Sequence, residues 1–116
     1  LPLPDAIRAF TAFYETSLAG SDFRDGCPVA TTALEASALG APEVEAACAE
    51  AFAAWQEPIA RRLIAEGHAP DRAAELATFV LASLEGGLLL AQSARSMEPL
   101  GTVASHLAAL LSPNTA

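Results

Sequence analysis

The stretch LATFVLASLEGGLLLAQ, residues 76–92, decides the architecture. Read as a helix it is apolar almost all round, and a helix of that kind is covered on more than one side. With "PDRAAE" before it and Arg95 and Ser96 after it, the helix predicted here runs from about Asp71 to Ser96. Its most apolar part, Leu76 to Ala91, contains Thr78, Ser83 and Glu85 and falls short of the roughly 20 residues that a membrane span needs. It therefore reads as the buried helix of a soluble domain, with no membrane partner. Glycine inside a helix costs about 1 kcal/mol relative to alanine. Gly86 and Gly87 thus mark either a close helix approach, the simpler reading, or space kept for a bound molecule.

Working outward, Pro99 opens a short last helix to about Leu111, with Leu100, Val103, Ala104, Leu107 and Leu111 on one stripe. Only a few residues join it to the preceding helix, so the two are expected to be antiparallel neighbours. Their combined apolar surface exceeds what one small bundle needs. The terminal "SPNTA" is expected to fray.

Three helices precede. The first spans about Asp5 to Leu18, with Asp5 as its cap and Ile7, Phe10, Phe13, Tyr14 and Leu18 on one side. After "GSDFRDG", Pro28 begins a second, whose modest stripe of Val29, Ala33, Ala36 and Leu39 ends at Gly40. The third opens at Pro42, with Glu43 and Glu45 favourable in its first turn. It aligns Val44, Cys48, either Phe52 or Ala51, Trp55, Ile59 and Leu63 and stops near Glu66 and Gly67. Pro58 removes a backbone hydrogen bond and crowds the carbonyl of Ala54, which predicts a kink and not a domain boundary. No strand-like alternation, hairpin signal or repeat is present, so the reading is a single all-α domain over residues 1–116.

Composition narrows the function. The 116 residues are 53% hydrophobic, 6% aromatic and carry a net charge of −8. Nucleic acid is held first by clustered Lys and Arg, and this segment has six, scattered. Direct DNA contact is therefore not expected of it. Cys27 and Cys48 lack CxxC spacing, which points to a reducing, cytoplasmic setting. "LPLPDAIRAF" has neither a leader nor an initiator methionine, so the chain is expected to be the rear part of something longer.

Tests for chemistry return little. His68 and His106 sit in no metal-ligand spacing, and neither a metal nor a cofactor is expected. Nothing local to Cys27 supplies a base and an oxyanion stabiliser, although a helix N-terminus can lower a thiol pKa. Catalytic residues are therefore assigned to none. Glu85 sits where burial is expected, and a buried carboxylate is costly unless paired, so it serves either a helix end, a partner subunit or a pocket. Glu35, after Thr31 and Thr32, faces the same choice. With Trp55 and Phe79 these residues can line a mostly apolar cavity with a few polar anchors, although aromatics at helical spacing serve equally as core.

The succession "FRDGCPVATTALEAS", "AFAAWQEPIARRLIAEG", "AAELATFVLASLEGGLLLAQSARSMEPL" and "VASHLAALL" resembles the C-terminal regulatory domain of TetR/AcrR-family transcriptional repressors, especially the LmrA/YxaF-like subgroup. The resemblance covers nearly the whole chain. It implies a five-helix orthogonal bundle whose last two helices meet their copies in a four-helix interface of a homodimer. It also implies a pocket for a small apolar or amphipathic effector among the second, third and fourth helices. DNA binding would belong to a basic N-terminal helix-turn-helix outside this chain. The ligand-binding candidates are then Thr31, Thr32, Glu35, Phe52, Trp55, Phe79 and Ser83. For the dimer interface they are Leu84, Gly86, Gly87, Leu88, Ala91, Val103 and Leu107. Two other functions compete: a stand-alone helical interaction or ligand-sequestering protein, and a small cofactor-free enzyme using Cys27 or Glu35.

Overall fold

The computed structural model describes residues 2–112 and contains five helices: α1 (Leu3–Gly20), α2 (Pro28–Leu39), α3 (Pro42–Ala65), α4 (Pro70–Ala94) and α5 (Glu98–Leu111). The fold is all-α, as the residue pattern predicts. The expected fraying of the tail falls on 113–116, outside the described residues.

Every helix carries proline in its first two positions, where the missing N–H has no intrahelical partner to lose. At α1 this changes the expected start. Pro2 occupies the N-cap and Pro4 the first turn, so Asp5 is not the cap but a first-turn residue, paired with Arg8. The backbone N–H of Leu3 donates to Glu66 Oε1 at 3.2 Å, tying the start of α1 to the end of α3. Gly40, at φ 66°, closes α2 in the left-handed conformation that glycine tolerates. α3 runs as one helix through Pro58, where both Pro58 and Ala54 are exposed, so that water meets the carbonyl left without its donor.

The long α4 packs between α3 and α5, α2 lies on α3, and α1 lies on α5. By length and composition α4 is long enough to cross a membrane, more than the apolar run alone implies. Its use here is different: Ala73, Ala77, Val80, Leu81, Leu84, Gly87, Leu88 and Ala91 are buried, most of them in a core shared with Ile7, Leu18, Leu63 and Leu100. That core holds no buried polar or charged residue among those described.

The two glycines of α4 divide the two uses foreseen for them. A Cβ on Gly87 would stand 3.1 Å from the Val103 side chain and 3.3 Å from that of Leu100, so Gly87 is the close contact between α4 and α5. A Cβ on Gly86 would meet nothing within 4 Å. The domain is flat, 48 × 32 × 18 Å, with a radius of gyration of 15.0 Å. A compact chain of about this length has a radius near 13 Å. A slab this thin leaves apolar side chains uncovered, among them Phe79, Leu90 and Leu110 on α4 and α5.

Candidate functional site

Glu85 projects from the side of α4 that faces the start of α2 and the aromatic side of α1. It is the only charged residue lining two apolar cavities, and it lines both. One cavity, about 310 Å³, lies between α2 and α4, with Cys27, Thr31 and Leu34 on one wall and Gly86, Leu88 and Leu89 on the other. Phe52 of α3 reaches into its lining. The other, about 330 Å³, is walled by Phe10, Phe13 and Tyr14 of α1, Trp55 and Ile59 of α3, and Leu81 and Leu84 of α4. Each is of the size that small ligands occupy.

The aromatic wall is ordered by ring contacts. Tyr14 stacks at a tilt on Phe10, centroids 4.9 Å apart, and meets Phe13 edge-on at 5.1 Å. Phe52 and Trp55, one turn apart on α3, meet edge-on at 5.7 Å and connect the two cavities. Edge-to-face pairs of this kind fix ring orientation as well as burying area.

A polar cluster sits where the cavities join. The Cys27 thiol neighbours the Glu85 carboxyl. Burial pushes the Glu85 carboxyl above its ordinary range, and the neighbouring thiol draws it partly back. Burial also raises the Cys27 thiol, with Glu85 adding to the rise against the lowering effect of backbone N–H groups at Ala30 and Val29. Tyr14 is raised as well, by burial and then by the charges of Cys27 and Glu85. Cys27 is thus held as a protonated thiol, the reverse of what an activated nucleophile requires.

The loop before α2 places Cys27 in this position. Asp22 and Phe23 adopt positive φ, which folds the loop back onto the end of α4. There Gln92 Nε2 donates to the carbonyls of Phe23 and Arg24 at 3.4 and 3.3 Å. Arg95 pairs with Asp22, donates to its carbonyl at 3.1 Å and lies 5.7 Å from the Phe23 ring centroid. A Cβ on Gly26 would meet the amide end of the Gln92 side chain, which would have to shift out of its place on the loop. Gln92 and Glu85 are two turns apart on one side of α4, so the clamp that holds the loop also hangs Cys27 over Glu85.

The residues expected at a ligand site fall into three groups. Thr31 and Phe52 line the first cavity and Trp55 the second. Thr32 and Glu35 are exposed on the outer side of α2, away from both cavities. Phe79 and Ser83 lie on the outward side of α4, where with Val103, His106, Leu107 and Leu110 they border a shallow depression of about 170 Å³. Of the residues expected between two copies, Leu84, Gly87, Leu88, Ala91 and Leu107 are buried within the single chain. Gly86 opens on the first cavity, and Val103 is half-buried beside the depression. Sequence reasoning overlooked Tyr14 as a polar group and Gln92 as a clamp. The isolated hydroxyl and amide, each on an otherwise apolar helical face, were the signals.

The arrangement defines a class: an all-α domain with two open apolar clefts that share one carboxylate of its longest helix. Residues 4–106 match the family described as the C-terminal domain of LmrA/YxaF-like transcriptional regulators. The chain belongs to that family and is the C-terminal domain of a TetR-type transcriptional regulator. It is 41% identical over 102 residues, 84% of its length, to an uncharacterised HTH-type transcriptional regulator of Mycobacterium tuberculosis, covering 53% of that protein. To the HTH-type transcriptional regulator LmrA of Bacillus subtilis it is 33% identical over 107 residues, 92% of this chain and 56% of LmrA. YxaF of the same organism, an uncharacterised HTH-type regulator, is 26% identical over the same share of each chain. The chain spans about half the length of these relatives. No solved structure matches it.

Proposed function

We propose that this chain is the effector-sensing and homodimerisation domain of a transcriptional repressor. The observation that carries the reading is the division of α4: one side bears Glu85 between two apolar cavities, and another leaves Phe79 and Leu90 49% and 58% exposed. A small apolar or amphipathic effector occupies the cavities, and a second copy covers the bare side of α4 and α5. The relatives named as HTH-type match this chain over little more than half of their length, and operator contact is assigned to a helix-turn-helix segment of that kind joined to this domain. The net charge of −8 argues against phosphate contact here. The setting is cytoplasmic, and catalysis forms no part of the reading.

The mechanism is linkage. An effector that favours the dimer geometry unable to grip the operator shifts the population toward it, with a coupling of about 1–3 kcal/mol. α4 is the physical carrier, because its displacement by a bound molecule moves both sides of one rigid helix. Light scattering coupled to size-exclusion chromatography at micromolar concentration tests the first requirement. The reading predicts the mass of a dimer; a monomer contradicts it.

A further inference from the structure

Resting on the reading of the two cavities as a ligand site, we propose that the ligand is a lipophilic organic cation. Its charge pairs with the Glu85 carboxylate and its apolar body lies against Phe10, Phe13, Tyr14 and Trp55.

The first argument is the missing partner. Glu85 is the one charged group in either cavity lining, and no Lys or Arg accompanies it there. The four ion pairs found among the described residues join Asp5 to Arg8, Glu57 to Arg61, Glu75 to Arg72 and Asp22 to Arg95, all away from it. Its polar neighbour Cys27 is a neutral thiol and brings no countercharge. Glu85 is half-buried, and a carboxylate partly withdrawn from water without a countercharge is disfavoured, a cost that a ligand bringing the countercharge recovers in part. A neutral ligand cannot do so, and an anion is repelled.

The second argument is the wall. Aromatic faces attract a cation through their quadrupole, and this cavity presents four rings beside the carboxylate. The remaining lining is aliphatic. In the neighbouring cavity the Thr31 hydroxyl is already engaged, donating to the Cys27 carbonyl at 3.2 Å. A sugar, nucleotide or other many-donor ligand would therefore leave its polar groups without partners. The net charge of −8 further raises the local concentration of cations.

The test uses two probes of nearly identical shape: benzyltrimethylammonium, and neopentylbenzene, in which carbon replaces the charged nitrogen. Trp55 is the only tryptophan and lines the cavity, so its emission reports occupancy, with titration calorimetry as a second readout. Both probes are expected to bind. Glu85→Gln is expected to weaken benzyltrimethylammonium about tenfold and neopentylbenzene less than about twofold. Phe13 is 65% exposed, so Phe13→Leu tests the aromatic contribution without threatening the fold; it is expected to weaken the cation alone, about threefold. If neopentylbenzene binds while the cation does not, or if both variants bind the cation as the parent does, the cation assignment is overturned and the ligand-site reading stands. If neither probe binds by either readout, the ligand-site reading falls and the cation assignment falls with it.

Discussion

Two sides of α4 are left open by the helices around it, and they differ in shape and charge. The Glu85 side is concave, roofed by α1 and the start of α2, and holds one carboxylate among aromatic rings. The Phe79 and Leu90 side is shallow, has no carboxylate in the lining of its depression and continues onto α5 through Leu110, 64% exposed. On the proposed reading, surplus apolar surface on one helix has two uses: a hollow with a single charge suits a small molecule, whereas a broad, largely apolar face suits another copy of the chain.

The sharpest way to break this comparison is to show that neither side is anchored by the core between them. Leu88, 1% exposed, joins the core to the first cavity, while its neighbour Leu89 is 57% exposed. Leu88→Ala is expected to destabilise the domain by about 2–5 kcal/mol in urea unfolding, and Leu89→Ala by less than about 1 kcal/mol. Equal losses would mean that the burial pattern of α4 is wrong.

The glycines give a smaller effect of opposite sign. Gly86→Ala adds helix propensity into open space and is expected to stabilise by about 0.5–1 kcal/mol. Gly87→Ala presses on Val103 and Leu100, and the overpacking outweighs the same gain, for a net loss of about 1 kcal/mol. Thermal melts of the two variants measure the contrast directly.

The smallest effect is electrostatic. Glu85 is held above its ordinary value of 4.5, so the folded chain binds that proton more tightly than the unfolded one. The stabilisation this provides is full below the unfolded value and is lost as pH rises through the folded one. Facing it are Cys27 from the α2 start and Tyr14 from α1, both raised from values far above this window, so neither masks it. The stability of the parent relative to Glu85→Gln is expected to fall as pH rises from 4.5 toward neutrality, as urea unfolding at several pH values will show. A flat difference would place Glu85 in water.

The fold was legible because prolines mark the helix starts, Gly40 and Gly67 mark two ends, and residues 76–92 can only be a covered helix. The site was legible in part. Thr31, Phe52 and Trp55 reach the cavities, but helical spacing cannot tell which way a sparsely packed helix rolls. α2 buries Ala36 alone, so a small rotation decides that Thr31 borders the first cavity while Thr32 and Glu35 do not. The same limit hid the placement of Phe79 and Ser83, since an all-apolar helix gives no polar face from which to set its orientation. The cluster of Tyr14, Cys27 and Glu85 was beyond reach for another reason. It is assembled from three elements by a loop clamp whose contacts are roughly 70 positions apart in sequence.

The central claim is that the outward side of α4 and α5 receives a second copy, and the most direct measurement is the solution mass of two charge-introducing variants. Leu90→Glu places a carboxylate on that side, and Leu39→Glu places one at an equally bare position, 82% exposed, at the end of α2. Light scattering at micromolar concentration is predicted to find the parent and Leu39→Glu as dimers and Leu90→Glu as a folded monomer. A dimer that survives Leu90→Glu, or one that dissociates on Leu39→Glu instead, would contradict the account.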